Sequence, residues 1–217
     1  MSFVEPSRRQ ILQCLAAAAA LAGVLAGPDL AWAAAATLED VSLEIAGGKK
    51  VRAWFAVAAD TPAPAVLLIH EWWGLNDQIK AVAGELARQG YAALAIDLYG
   101  GQVASSPEEA ERLRKAVDAG VATDTLVSWV EWLRRHPKAT GKVATIGWCF
   151  GGGWSLDASI ATPVDATIIY YGRVDQPADR LARLHGPVLG HFATRDQWIN
   201  RPWWKASRGP WRRPASR

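Results

Sequence analysis

Lys142-Val143-Ala144-Thr145-Ile146-Gly147, followed by Trp148-Cys149-Phe150-Gly151-Gly152, is the stretch that decides the fold. Lys142–Gly147 is a short, largely apolar run of the kind expected for a strand buried on both faces. Gly151–Ile160 reads as a helix, so Gly147–Gly152 has room only for a sharp turn with a cysteine at its crest. Such a turn lifts the crest residue above the C-terminal edge of a sheet. Glycines on its flanks let neighbouring backbone approach without a Cβ clash. This is the setting of a nucleophile elbow, with Cys149 where serine often stands. Its place at a helix N-terminus favours thiolate over thiol. The alternative, for the glycine-rich turn taken alone, is a plain strand-to-helix connection.

Working outward, the pattern around this turn repeats. Ala65–His70, Tyr91–Ile96, Ala166–Tyr171 and Pro187–Phe192 are further short apolar runs, and the stretches Asp77–Gln89, Pro107–Ala119 and Val121–Arg135 between them are helical. Pro107, placed after Ser105-Ser106 and before Glu108-Glu109, is a helix start: proline fits the first turn and acids suit the positive end of the dipole. Strand–helix alternation predicts a mostly parallel, doubly wound α/β sheet. At its front, Val41–Ile45 and Lys50–Val57 flank Gly47-Gly48, which suggests an opening hairpin.

The two ends of the 217-residue chain read differently from this body. Ser7-Arg8-Arg9-Gln10 precedes an apolar, Ala-rich run, so residues 1–33 are expected to be a twin-arginine export signal with cleavage near Ala33. The protein is then periplasmic or secreted, without stable membrane insertion after cleavage. Residues 201–217 carry five Arg, one Lys and no acid; removing those six charges from the net +3 leaves the rest at −3. The basic balance therefore belongs to the tail, and the body gives no nucleic-acid signal. The aperiodic Trp/Arg/Pro mixture of residues 200–217 reads either as translation out of frame or as a disordered basic tail. Of the two cysteines, Cys14 lies in the leader, so the mature chain holds Cys149 alone and forms no internal disulfide.

Gly147–Gly152, His70-Glu71-Trp72-Trp73-Gly74-Leu75-Asn76, Asp97-Leu98-Tyr99-Gly100-Gly101 and Ala193-Thr194-Arg195-Asp196 together resemble the dienelactone hydrolases, across about Val41 to Ile199. The resemblance implies an α/β-hydrolase fold over residues 34–199 and hydrolysis of a small-molecule ester or lactone through a thioester on Cys149. It implies Asp196 as the acid of a Cys–His–Asp triad and Glu71 as the carboxylate that governs protonation of the thiol. No metal or cofactor is implied. Two departures stand out. Gly100-Gly101 occupies a place where relatives that cleave dienelactone carry an arginine. No histidine follows Asp196, so the reading is of a C-terminally truncated fold lacking its triad base.

The residues support the same roles by themselves. Asp196 follows a predicted strand and comes after Cys149, in the chain order nucleophile, acid, histidine; its bland alternative is a turn or cap residue. Glu71 ends a buried apolar strand, where an ionised carboxylate is costly unless paired. The oxyanion hole would use the backbone N–H groups of Phe150 and Trp72. Trp73, Trp148 and Trp198 are candidate pocket walls, with core packing as the alternative for each. Among the histidines, His136 closes a helix, His185 and His191 belong to the last strand, and His70 is read as structural. The competing reading is a non-catalytic pseudoenzyme or ligand-binding α/β domain.

Overall fold

The computed structural model describes residues 38–196 and 199. The expected signal segment, Trp198 and the tail from 200 onward lie outside them. Seven strands form one sheet: β1 (Glu39–Glu44), β2 (Lys50–Ala56), β3 (Ala63–Ile69), β4 (Ala92–Ile96), β5 (Ala139–Trp148), β6 (Ala166–Tyr170) and β7 (Val188–His191). Their order across the sheet is β1-β2-β4-β3-β5-β6-β7. β1 and β2 form the opening hairpin, β2 runs antiparallel to β4, and β4, β3, β5, β6 and β7 are all parallel. The sheet is thus mostly parallel and wound with helices, as the alternation of runs requires.

The helices are α1 (Asp77–Arg88), α2 (Pro107–Ala116), α3 (Ala119–Arg135), α4 (Phe150–Ala161) and the short α5 (Ala178–Leu181). Asn76 caps α1 by accepting from Ile79 N–H, and Ser106 caps α2 by accepting from Glu109 N–H, with Pro107 in its first turn. The helix expected over Pro107–Ala119 stops at Ala116. The reason is Asp118, whose carboxylate accepts from Val121 N–H at 2.8 Å and starts α3 instead. α5 was not foreseen, since four residues are too few to show a period.

Successive residues of the central strands go to opposite faces. Ala65, Leu67 and Ile69 of β3 and Leu94 and Ile96 of β4 pack with Leu126, Trp129, Val130 and Leu133 of α3. Val66 and Leu68, with Ala93 and Ala95, meet Ile79, Val82 and Ala83 of α1. Beneath the turn after β5 lies a ladder of buried hydroxyls: Thr145, Ser155, Ser159 and Thr167 bond one another at 2.7–3.0 Å. It ties α4 to both β5 and β6, and with it the placement of Cys149.

Candidate active site

At the end of β5 the chain reverses into α4 with Cys149 as the first residue outside the helix, at φ 53° and ψ −115°. A non-glycine residue there is strained, and it persists only where surrounding structure over-determines it. Four close approaches do so. Cys149 N–H donates to Tyr170 O at 3.0 Å. A Cβ on Gly147 would come within 3.0 Å of the Gly151 backbone, and one on Gly151 would meet the Ile69 and His70 carbonyl oxygens as closely. Gly152 faces Gly172 just beyond β6 with similar tightness. Side chains at these positions would push the elbow off the ends of β3 and β6.

The thiol of Cys149 is half-buried. Burial pushes its pKa up, the Phe150 N–H works in the opposite direction, and the carboxylates of Glu71 and Asp196 add to the rise while Arg114 opposes it. The expectation of a thiol lowered by the helix terminus is therefore corrected. The N–H at the helix start does act that way, but removal from water and two nearby negative charges outweigh it. The same interactions place Glu71, from the end of β3, and Asp196, from beyond β7, within electrostatic reach of one thiol. Asp196 is also a turn residue, its Oδ1 accepting from Ile199 N–H at 2.9 Å.

Glu71 has a partner that sequence reasoning missed: Tyr171 Oη donates to Glu71 Oε1 at 2.6 Å. Tyr171 directly follows β6, at the same sheet edge as the elbow, and its position at a strand's C-terminal end was the available signal. Burial and the Glu71 bond raise its pKa above the usual tyrosine range. Tyr99 is a second omission. It is buried, its ring centroid lies 4.7 Å from that of His70 and 5.6 Å from that of Phe150, and its hydroxyl has no partner among the described residues.

The tryptophans divide. Trp72 and Trp73, with ring centroids 5.1 Å apart, pack beside Phe150 and Tyr99 against α2 residues Ala110 and Leu113. Trp148 is only 7% exposed, stacked on Tyr170 and packed in the core toward α1, which leaves it little surface for a substrate. Phe150 opens α4, so its N–H has no acceptor within the helix and is directed to the Cys149 thiol. Trp72 lies on the loop after β3 and packs in the same cluster as Phe150.

His70 is fully buried, and both ring nitrogens are engaged. Nε2 accepts from Leu98 N–H at 3.2 Å, so Nδ1 carries the proton and donates to Glu71 O at 2.6 Å. Burial lowers its pKa and keeps it neutral. His136 packs on Phe55 and Trp132 at the end of α3, and His191 stacks on Tyr170 at 4.4 Å. No cluster of three or more potential metal ligands occurs among the described residues.

Comparison with known proteins agrees with this fold. The dienelactone hydrolase family model matches residues 51–206. A carboxymethylenebutenolidase of Pseudomonas putida is 26% identical over 174 residues, covering 76% of this chain and 74% of that protein. A dienelactone hydrolase-like promiscuous phosphotriesterase from metagenomic libraries superposes with a TM-score of 0.70 at 26% identity, covering 80% of this chain and 76% of its own. The dienelactone hydrolase of Anabaena variabilis does so at 0.54 and 26%, covering 70% and 72%. With the mostly parallel sheet, the strained elbow and a family match across most of its length, the chain belongs to the dienelactone hydrolase family of α/β-hydrolase-fold enzymes.

Proposed function

We propose that the chain opens an ester or lactone by forming a thioester on Cys149. The observation that carries this is the strained Cys149 at the elbow crest with Glu71 and Asp196 both acting on its thiol. The thiolate Sγ bonds to the acyl carbon, and the alkoxide leaves and takes up a proton. The transient oxyanion is received by the N–H groups of Phe150 and Trp72. Water then cleaves the thioester and frees the acid and the thiol. Paired arginines at Arg8 and Arg9 support export of this activity from the cytoplasm.

Deacylation is the weak step. The ring of His70 is fully engaged and offers no base to the thioester. General-base assistance typically contributes about 10²–10⁴-fold. A burst of product from an activated aryl ester, followed by slow turnover, is the expected behaviour. Stopped-flow release of p-nitrophenol with mass analysis of the Cys149 peptide tests it. An acylated Cys149 and a burst lost in Cys149→Ala support the reading. Absence of any adduct on Cys149 would favour the alternative, a ligand-binding domain without catalysis, to which the full engagement of His70 also lends weight.

A further inference from the structure

Tyr171 is the second non-glycine residue with positive φ among the described residues, at 40°; Cys149 is the first. The two are coupled by construction. The residue before Tyr171 supplies the carbonyl that Cys149 N–H binds, and the residue after it, Gly172, presses on Gly152 of the elbow. Tyr171 N–H itself donates to His191 O at 2.8 Å. Its backbone is therefore fixed on both sides by the nucleophile's own turn and by β7. The strained conformation delivers the hydroxyl across 100 residues of sequence to Glu71 Oε1.

That bond matters because of what else Glu71 does. The groups that act on the thiol are Glu71 at the end of β3, Asp196 beyond β7 and Arg114 of α2, with the Phe150 N–H at the start of α4; the hydroxyls of Tyr99 and Tyr171 also feel the thiolate. A bare carboxylate at this place opposes ionisation of the sulfur and is free to accept its S–H. A carboxylate that already accepts a short hydrogen bond from a phenol is held in place, and part of its charge is offset by that donor.

We infer that Tyr171 is a positioning residue for the nucleophile: by donating to Glu71 it limits the hold of that carboxylate on the Cys149 proton. This rests on Cys149 being the reactive group. It goes beyond the family assignment, which gives Glu71 a role but none to the tyrosine that grips it.

The test is the pH profile of Cys149 alkylation by iodoacetamide in the full-length chain, followed on the Cys149 peptide so that Cys14 does not interfere. Tyr171→Phe keeps the ring and removes the donor. Its profile is expected to move to higher pH, with alkylation about two- to fivefold slower at pH 7, since one pKa unit is tenfold in thiolate. Glu71→Gln is expected to move the profile the other way. In the Glu71→Gln background, Tyr171→Phe should change nothing, which a merely structural tyrosine would not predict. An unchanged profile in Tyr171→Phe, or the same shift with and without Glu71, overturns the inference while leaving the nucleophile intact. A Cys149 that does not alkylate in any variant overturns the inference and the reading it rests on together.

Discussion

Cys149 and Asp196 are held by very different amounts of structure. Cys149 sits where three parallel strands, β3, β5 and β6, end together, under a turn whose glycines have backbone against them on every side. Asp196 follows β7, a four-residue strand with Leu189, Gly190 and His191 all exposed, and belongs to a turn closed by its own carboxylate on Ile199 N–H. The position of Cys149 is thus set by main-chain packing that few side-chain changes can disturb. The position of Asp196 depends on an outer strand hydrogen-bonded, among the described residues, on one side only. In the proposed mechanism the chemistry of attack is then the robust half, and the chemistry that would need Asp196 is the half open to loss.

The sharpest way to break this comparison is inside the elbow. Gly151→Ala would set a Cβ within 3.0 Å of two carbonyl oxygens, so loss of more than about 4 kcal/mol, or failure to fold, is expected. Gly153, two residues on, has only ordinary contacts with Arg173 at 3.6–3.7 Å. There Gly→Ala should leave stability unchanged or raise it by up to about 1 kcal/mol through helix propensity. Thermal melts of the two variants decide the matter. Equal effects would mean that the close approach of β3 to the turn is not what fixes Cys149.

The elbow was legible before any coordinates because it has a local grammar: an apolar strand, glycines at fixed offsets and a helix. The strand alternation that placed Glu71 at a sheet edge is local in the same way. Tyr171, Tyr99 and the hydroxyl ladder of Thr145, Ser155, Ser159 and Thr167 were not legible, because each gains its meaning from a partner far away in sequence. The direction of the thiol's shift was missed for a related reason. A helix terminus can be read from sequence, whereas the burial that outweighs it is a property of the assembled site. Trp148 shows the limit of reasoning by adjacency: next to Cys149 in the chain, it points into the core.

His70 gives a smaller, pH-dependent effect on the well-held side. Its folded pKa is lowered, chiefly by burial, while the unfolded chain takes up a proton near 6.5. Between those values the unfolded state binds more protons than the native state, so stability rises with pH there. It is fully present above about pH 6.5 and is lost as pH falls below, by up to about 1.4 kcal/mol per pH unit for fully buried His70. His136, lowered chiefly by burial as well, adds to the same slope. Urea midpoints between pH 5 and 7 should fall toward acid, and less steeply in His70→Asn. An unchanged slope in that variant would show that His70 takes up its proton in the native protein.

The smallest effect is expected on the outer strand. Leu189 is 55% exposed and pairs with half-buried Ile168, which packs on the cluster facing α1. Replacing it with lysine removes little buried apolar area, so stability should change by no more than about 0.5 kcal/mol. An exposed apolar strand at a sheet edge is a template for pairing with other chains, and a lysine there blunts it. Leu189→Lys should therefore scatter less light at high concentration while melting at nearly the same temperature. A loss of about 2 kcal/mol or more would instead show that Leu189 is packed in solution, either by residues beyond Asp196 or by a second copy. Asp196 would then be held more firmly than its own strand indicates.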